Sequence, residues 1–337
     1  MEAERQAEQL RRIAIAALPL WPLDVADVTP IKVRENAVFA VQLRGGAKVA
    51  LRVHRLGYHS DDALRSEFIW CDALAAQGIE VPRAVPSRAG RPFELVAADA
   101  GAQPRQVDIF EWIDGRQLGT AESGVGSDDA VVACNYRTIG ELAARMHNQA
   151  AAWKRPPGFT RHAWDAQGLV GERPRWGRFW ELDALSPAQR LTFERLRTRL
   201  RKDLTAFGAD EANYGLIHAD LVPENVLVGP RGVRIIDFDD AGFGWHLFEL
   251  ATTLYFIRRE SCYPTALASY VTGYRAHRRL RDEDLRRLPM FLAARGTTYL
   301  GWVHTRKGEP TAEELTPALM ELAEAAADDY FSAAEGA

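Results

Sequence analysis

Two rhythms of apolar and polar residues divide this chain. Residues 5–17 place Leu10, Ile13 and Ala17 on one side at helical spacing, which predicts a short amphipathic helix. Pro22 and Pro30 then frame a change of period. Residues 31–43 and 47–54 are rich in β-formers, and Arg44-Gly45-Gly46 between them predicts a hairpin turn. From Asp61 to Gln77 the apolar positions Leu64, Phe68, Cys71 and Leu74 return to helical spacing, and Gly78 stops the run. Two more strands are expected around Val81–Val85 and Phe93–Ala98, with Ser87–Arg91 turning between them. An apolar run over residues 106–113 ends at Asp114-Gly115.

Beyond that point the pattern turns helical. Residues 129–152 and 184–206 predict two long helices, and the stretch from Phe243 to Phe331 reads as almost wholly helical. Trp153, Trp164, Trp176 and Trp180 lie between the long helices among Pro and Gly. They predict a packed loop over a helical domain, with aromatic side chains filling a satellite core rather than caging a ligand. The expected fold class is α+β, with a β-rich lobe containing one main helix over residues 1–110. A larger, mainly helical lobe follows over residues 111–337, and a linker strand around residues 108–114 joins the two. A cleft between such lobes is a natural ligand site.

Composition narrows the classes. A length of 337 residues suits about two domains. The net charge of -4 argues against nucleic acid as the main partner, since phosphate backbones attract basic surfaces. Cys71, Cys134 and Cys262 are scattered without metal-ligand spacing, which predicts buried thiols in a reducing compartment. Glu2, Glu4 and Glu8 lie in the first helical stretch, unlike the basic start of a signal peptide. No segment offers the apolar run of roughly 20 residues that a membrane helix needs. The expected setting is the cytoplasm, with no membrane partner.

The chemistry gathers between residues 214 and 240. Asp220 and Asn225 are five residues apart in a loop after the apolar strand Tyr214–Ile217. One short loop can thus present a base and a neutral oxygen ligand to the same space. Val226-Leu227-Val228 and Val233–Ile236 predict a hairpin turning at Gly229–Gly232, which would return Asp237 close to Asn225. A carboxylate and an amide oxygen brought together suit Mg²⁺, a hard cation that prefers oxygen. Each of the three alone reads as a turn residue. Together, bordered by apolar strands, they point to transfer of the γ-phosphate of a nucleoside triphosphate to a hydroxyl. That reaction asks for a carboxylate base, a divalent metal and a cation on the phosphates.

The pattern His218-Ala219-Asp220 to Asn225, followed by Asp237-Phe238-Asp239-Asp240-Ala241-Gly242, resembles the aminoglycoside phosphotransferase and choline kinase branch of the protein-kinase-like fold. The resemblance covers roughly residues 25–310 and is most specific from Gly215 to Leu250. It implies a bilobal fold with an N-terminal nucleotide-binding lobe and a C-terminal catalytic and substrate lobe. By resemblance, Asp220 is the catalytic base, Asn225 and Asp237 hold the metal, and His218 braces the loop. Glu249 lies where relatives often carry Asp and is expected to hydrogen-bond the catalytic loop or cap local backbone. Arg34-Glu35-Asn36-Ala37-Val38-Phe39 matches the nucleotide-covering hairpin, with Asn36 in its cofactor-binding part. Val49-Ala50-Leu51-Arg52-Val53 supplies the phosphate-pairing cation, with Arg52 where protein kinases carry Lys. Arginine brings a planar, bidentate fork in place of a point charge. Lys48, four residues away on the same strand face, is the alternative. Glu67 is expected to orient Arg52, and Glu111 and Ile113 to fall in the hinge that meets adenine through backbone groups. The implied cofactors are ATP, with GTP as an alternative, and Mg²⁺.

The acceptor is less legible. An amine-bearing substrate calls for an acidic pocket, and Glu224, Asp239, Asp240 and Glu181 are the candidates. Glu313, Glu314 and Glu321 read as solvated helix residues. The expected partner is a small molecule with a hydroxyl, such as an amino alcohol, amino sugar or aminoglycoside-like compound. The protein itself is expected to be a monomer or homodimer. The alternatives are a serine/threonine protein kinase of the stress-response type and an inactive nucleotide-binding scaffold. The Trp-rich stretch and helical tail favour an enclosed small substrate over a peptide groove. Intact Asp220, Asn225 and Asp237 argue against a dead scaffold.

Overall fold

The computed structural model describes residues 2–33, 36–99, 101–120 and 124–335. Met1–Asp114 and Pro156–Thr160 form one compact unit, and Gly115–Arg155 with Arg161–Ala337 form the other.

The first unit contains α1 (Glu2–Ala17), β1 (Val25–Val33), β2 (Ala37–Leu43), β3 (Lys48–Val53), α2 (Asp61–Ala76), β4 (Phe93–Val96) and β5 (Arg105–Glu111). Its strands form an antiparallel sheet in the order β1-β2-β3-β5-β4. Leu10, Ile13 and Ala17 of α1 pack with Trp21 against Phe39, Val41, Leu51, Val53, Val107 and Ile109. The alternation expected of a half-buried sheet thus feeds one core. The β2–β3 hairpin closes through Leu43 N–H to the Ala47 carbonyl at 2.8 Å, and Gly46 takes a φ of 88° that side chains disfavour. The stretch read as continuous over 31–43 divides between β1 and β2. Pro30 sits in β1, an edge strand whose register shifts beside it, where a missing N–H is tolerated. The strand expected at Val81–Val85 reduces to a single bridge between Ala84 and Phe110. Pro82 and Pro86 supply no N–H donors for a ladder there. The Ser87–Arg91 turn forms, closed by Ser87 N–H on the Arg91 carbonyl at 2.8 Å. Ser60 caps α2 by accepting from Ala63 N.

The second unit contains β6 (Arg116–Gln117), α3 (Asp129–Ala152), β7 (Ala163–Trp164), α4 (Ala166–Val170), α5 (Pro187–Phe207), β8 (Tyr214–Ile217), β9 (Val226–Gly229), β10 (Gly232–Ile235) and β11 (Gly242–Trp245). Helices α6 (His246–Leu254), α7 (Tyr263–Arg275), α8 (Asp282–Leu285), α9 (Leu288–His304) and α10 (Pro310–Glu335) complete it. Its short sheets run β10-β9-β6 and β7-β11-β8. Strand β11 interrupts the region expected to be wholly helical, and the helix begins at His246. Gly242 and Gly244 disfavour helix there, and a Cβ at Gly244 would lie 2.5 Å from Ile217 Cδ1. Helices α3 and α7 meet backbone to backbone: a Cβ on Gly140 would lie 2.2 Å from the Tyr270 carbonyl oxygen. The same construction on Gly273 falls 2.0 Å from that of Arg137.

Trp164 is buried in this unit and donates its indole N–H to the Asp240 carbonyl at 2.9 Å. The Trp-rich stretch therefore does more than fill space. Cys71 and Cys262 are buried as expected, whereas Cys134 is exposed on α3. Its helical position turns it outward, opposite the buried Tyr136 and Ile139. Among the described residues no helix is long and apolar enough to cross a membrane.

Candidate active site

In the second unit, β8 ends at Ile217 and the chain enters the loop expected from the sequence. Ala219 takes a φ of 64°, a left-handed conformation that costs a non-glycine residue about 1–2 kcal/mol. Local bonds hold it there. Glu249 of α6, fully buried, accepts from the backbone N–H groups of both His218 and Ala219 at 2.7 Å. Burial pushes the Glu249 carboxyl above its ordinary range, opposed by His218 and by these two donors. The expectation that Glu249 would hold loop backbone agrees with this geometry.

His218 is buried, and its Nδ1 accepts from Asp220 N–H at 3.3 Å. Its Nε2 therefore carries the proton and donates to the Ile236 carbonyl at 3.0 Å. Burial lowers its pKa, in keeping with a neutral ring. The ring also packs edgewise on Phe238, with centroids 4.6 Å apart. His218 thus ties the loop to the strand that delivers Asp237, which is the bracing role expected of it.

Asp220 is held at both oxygens. Asn225 donates its amide N–H to Asp220 Oδ2 and to the Asp220 carbonyl, each at 2.8 Å. Arg295 of α9 donates to Oδ1 at 2.7 Å. The Asp220 side chain remains 23% exposed, while that of Arg295 is fully buried. A carboxylate fixed in this way can orient a hydroxyl presented from solvent. The expected β9–β10 hairpin forms in register, Ile235 opposite Val226, and Ile236 N–H reaches the Asn225 carbonyl at 2.9 Å. Asp237 follows directly, exposed, with a φ of 66°. Strained backbone of this kind costs about 1–3 kcal/mol and persists only where the surroundings enforce it.

The turn after Asp237 is enforced from one segment. Arg161 donates to the carbonyls of Ala241, Phe238 and Asp239. His162 and Trp164 both bond the Asp240 carbonyl, and Phe243 N–H returns to the His162 carbonyl at 2.9 Å. The side chains of Asp239, Asp240 and Glu224 are buried. Glu181 lies on the surface, paired with Arg178 at 3.0 Å.

In the first unit Arg52 lies buried on β3, whereas Lys48 at the start of the strand is exposed and sits over the Trp112 ring. Glu67 of α2 bonds Arg52 at 2.9 Å. A second acid, Asp108, stands opposite Arg52 in register on β5. It takes Arg52 Nη2 at 2.8 Å and Nε at 3.2 Å, and His54 Nε2 at 2.6 Å. Burial alone would raise the Asp108 pKa, but Arg52 and His54 together hold it below the ordinary range. Asn36 accepts from Arg55 N–H at 3.2 Å. Glu111 is exposed with its N–H bonded to the Arg83 carbonyl at 2.8 Å, and Ile113 is half-buried. Arg34 and Glu35 lie outside the described residues.

Sequence reasoning missed Asp108 and Arg295. Each carried one signal: Asp108 is a charge set between the apolar Val107 and Ile109, and Arg295 is the charge in the middle of an apolar helix. Such residues are rarely buried without a partner.

The fold has close counterparts. A solved microcompartment-associated aminopropanol kinase superposes with a TM-score of 0.80 at 31% identity, covering 94% of this chain and 96% of that one. An amicoumacin kinase solved with AMP-PNP, Ca²⁺ and Ami gives a TM-score of 0.75 at 22% identity, covering 97% and 96%. Amicoumacin kinase of Bacillus subtilis is 22% identical over 280 residues, 80% of this chain and 77% of that protein. Residues 27–283 match the model of the phosphotransferase enzyme family, and with that span containing the whole Asp220–Asp237 loop system, the chain belongs to this family of small-molecule kinases that act on hydroxyl groups.

Proposed function

We propose that this protein transfers the γ-phosphoryl group of ATP, with GTP as an alternative donor, to the hydroxyl of a small amino alcohol. The observation that carries the reading is the Asp220 carboxylate, fixed at both oxygens yet open to solvent. Asp220 accepts a hydrogen bond from the substrate hydroxyl, aligns its oxygen on the phosphorus and receives its proton as the P–O bond forms. The bond from phosphorus to the bridging oxygen breaks at the same centre, and the nucleoside diphosphate leaves.

The donor set suits Mg²⁺. Asn225 commits its amide nitrogen to Asp220, which leaves its carbonyl oxygen for an outside ligand. The Asp237 carboxylate is exposed one residue beyond the Ile236–Asn225 bond. Among the described residues no three His, Cys, Asp or Glu side chains converge as a metal cage. One or two protein oxygens completed by phosphate and water are what Mg²⁺ ordinarily takes. When bound, it would be held by the Asn225 and Asp237 oxygens and would offset the negative charge of the donor phosphates. Arg52, braced by Glu67 and Asp108, supplies the phosphate-pairing cation, whose rigid fork suits both carboxylates and phosphate.

The likeness to an aminopropanol kinase at 31% identity over nearly the whole chain supports an amino alcohol over a peptide as acceptor. The test is nucleotide consumption with Mg²⁺ across amino alcohols, aminoglycosides, nucleosides and a protein substrate. The native chain should turn over with an amino alcohol, and Asp220→Asn should lose turnover while still binding nucleotide. Full activity in Asp220→Asn would remove the mechanism, and turnover with the protein substrate alone would remove the acceptor class.

A further inference from the structure

Arg295 is 75 residues from Asp220 in sequence, on a helix outside the motif region. Its guanidinium makes three directed bonds: Nη2 to Asp220 Oδ1 at 2.7 Å, Nη2 to Tyr299 Oη at 2.7 Å, and Nη1 to the Ala219 carbonyl at 3.2 Å. Aromatic faces enclose the charge. Its carbon lies 4.4 Å from the ring centre of Tyr299, 4.8 Å from that of Trp176 and 5.7 Å from that of Phe248. Cation–π attraction in a desolvated setting reaches about 2 kcal/mol. Burial works against the charge, but Tyr299 and Asp220 outweigh it and hold the Arg295 pKa above its ordinary value.

We propose that Arg295 is the positioning residue for Asp220, a guanidinium fork that sets the rotation of the carboxylate and the carbonyl beneath it. The inference rests on the reading of Asp220 as the base. Without Arg295, the Asn225 amide is left to hold Oδ2 alone, and the carboxylate can rotate about its Cβ–Cγ bond. Because Arg295 is fully buried, it reaches the reaction only through Asp220 and the Ala219 carbonyl. The Trp-rich loop contributes as well, since Trp176 covers one face of the guanidinium.

The experiment compares Arg295→Gln, Arg295→Lys and Asp220→Asn with the native enzyme, measuring kcat, KM for nucleotide and KM for acceptor. Misplacing a reacting group by about 1 Å can cost about 100-fold in rate, so Arg295→Gln should lower kcat by that order with both KM values nearly unchanged. Arg295→Lys restores charge without the fork, and its kcat should fall about tenfold. Partial recovery from Gln to Lys at constant KM separates positioning from general loss of structure. Native kcat in either Arg295 variant, or a loss confined to KM, overturns the inference. If Arg295→Gln does not fold, the Arg295→Lys measurement decides by itself. Turnover retained in Asp220→Asn would instead sink the reading of the base, and the inference with it.

Discussion

Removing Asp108 should destabilise the first unit more than any exposed acid does. The side chain is fully buried and receives Arg52 through two nitrogens and His54 through a third. Asp108→Ala removes the carboxylate that takes Arg52 Nη2 and Nε and His54 Nε2. Removing one member of a buried ion pair typically costs about 3–5 kcal/mol. The exposed pair Arg44–Asp24, at 3.2 Å, supplies the control, because Asp24→Ala should cost no more than about 1 kcal/mol. Hydrogen exchange at the amides of β3 and β5 isolates this unit from the other. At 1.4 kcal/mol per tenfold, exchange through unfolding should accelerate by roughly two to four orders of magnitude. Arg52→Met on the same background should be less damaging than the two losses added, by about 1–3 kcal/mol. Acid supplies a second check. A carboxyl whose folded pKa lies below its unfolded value stabilises fully above the unfolded value, about 3.9 for Asp. That stability disappears as pH falls through the lower folded pKa. The gap between native and variant should stay flat from neutrality to about pH 4 and narrow below it. A loss under 1 kcal/mol at neutral pH, or a gap that widens in acid, refutes the account.

Three further perturbations follow from the second unit. Glu249→Ala orphans two buried N–H groups, each costing about 1–3 kcal/mol. It should lower both the unfolding midpoint and kcat, and a variant with native values for both would contradict the loop-anchoring role. Asp237→Ala should abolish the Mg²⁺-dependent part of nucleotide affinity in titration calorimetry, and unchanged affinity with and without Mg²⁺ would exclude Asp237 as a ligand. Gly273→Ala must push α7 off α3, since its Cβ would fall 2.0 Å from the Arg137 carbonyl oxygen. Overpacking of this kind costs about 1–3 kcal/mol or more, and a native melting temperature would show that the helices can separate freely.

The elements legible in the sequence are those whose cause is local. Helix α3, strand β8 and the β9–β10 hairpin fall within a residue or so of where period and turn residues place them. The spacing from His218 through Asn225 to Asp237 was equally legible, because one loop and one hairpin bring those groups together. Errors arose where local preference met a competing constraint. Prolines thinned the expected strand at 81–85 to one bridge, and sheet pairing with β8 claimed Phe243–Trp245 from the expected helical stretch. Period cannot report such pairing, since it describes a segment's own faces and not its neighbours.

What the sequence determined by itself was therefore the family's loop motif and the two-part α+β plan. Tertiary structure decided what holds the motif in working shape. Asp108 meets Arg52 across 56 residues, Arg295 reaches Asp220 across 75, and Arg161 clamps the carbonyls after Asp237 across 77 to 80. A charge flanked by apolar residues, as Asp108 is by Val107 and Ile109, or set in an apolar helix, as Arg295 is, announces that a buried partner must exist, because an unpaired charge cannot remain in a core. Only the packing of strand on strand, and of α9 against the loop, specifies which residue that partner is.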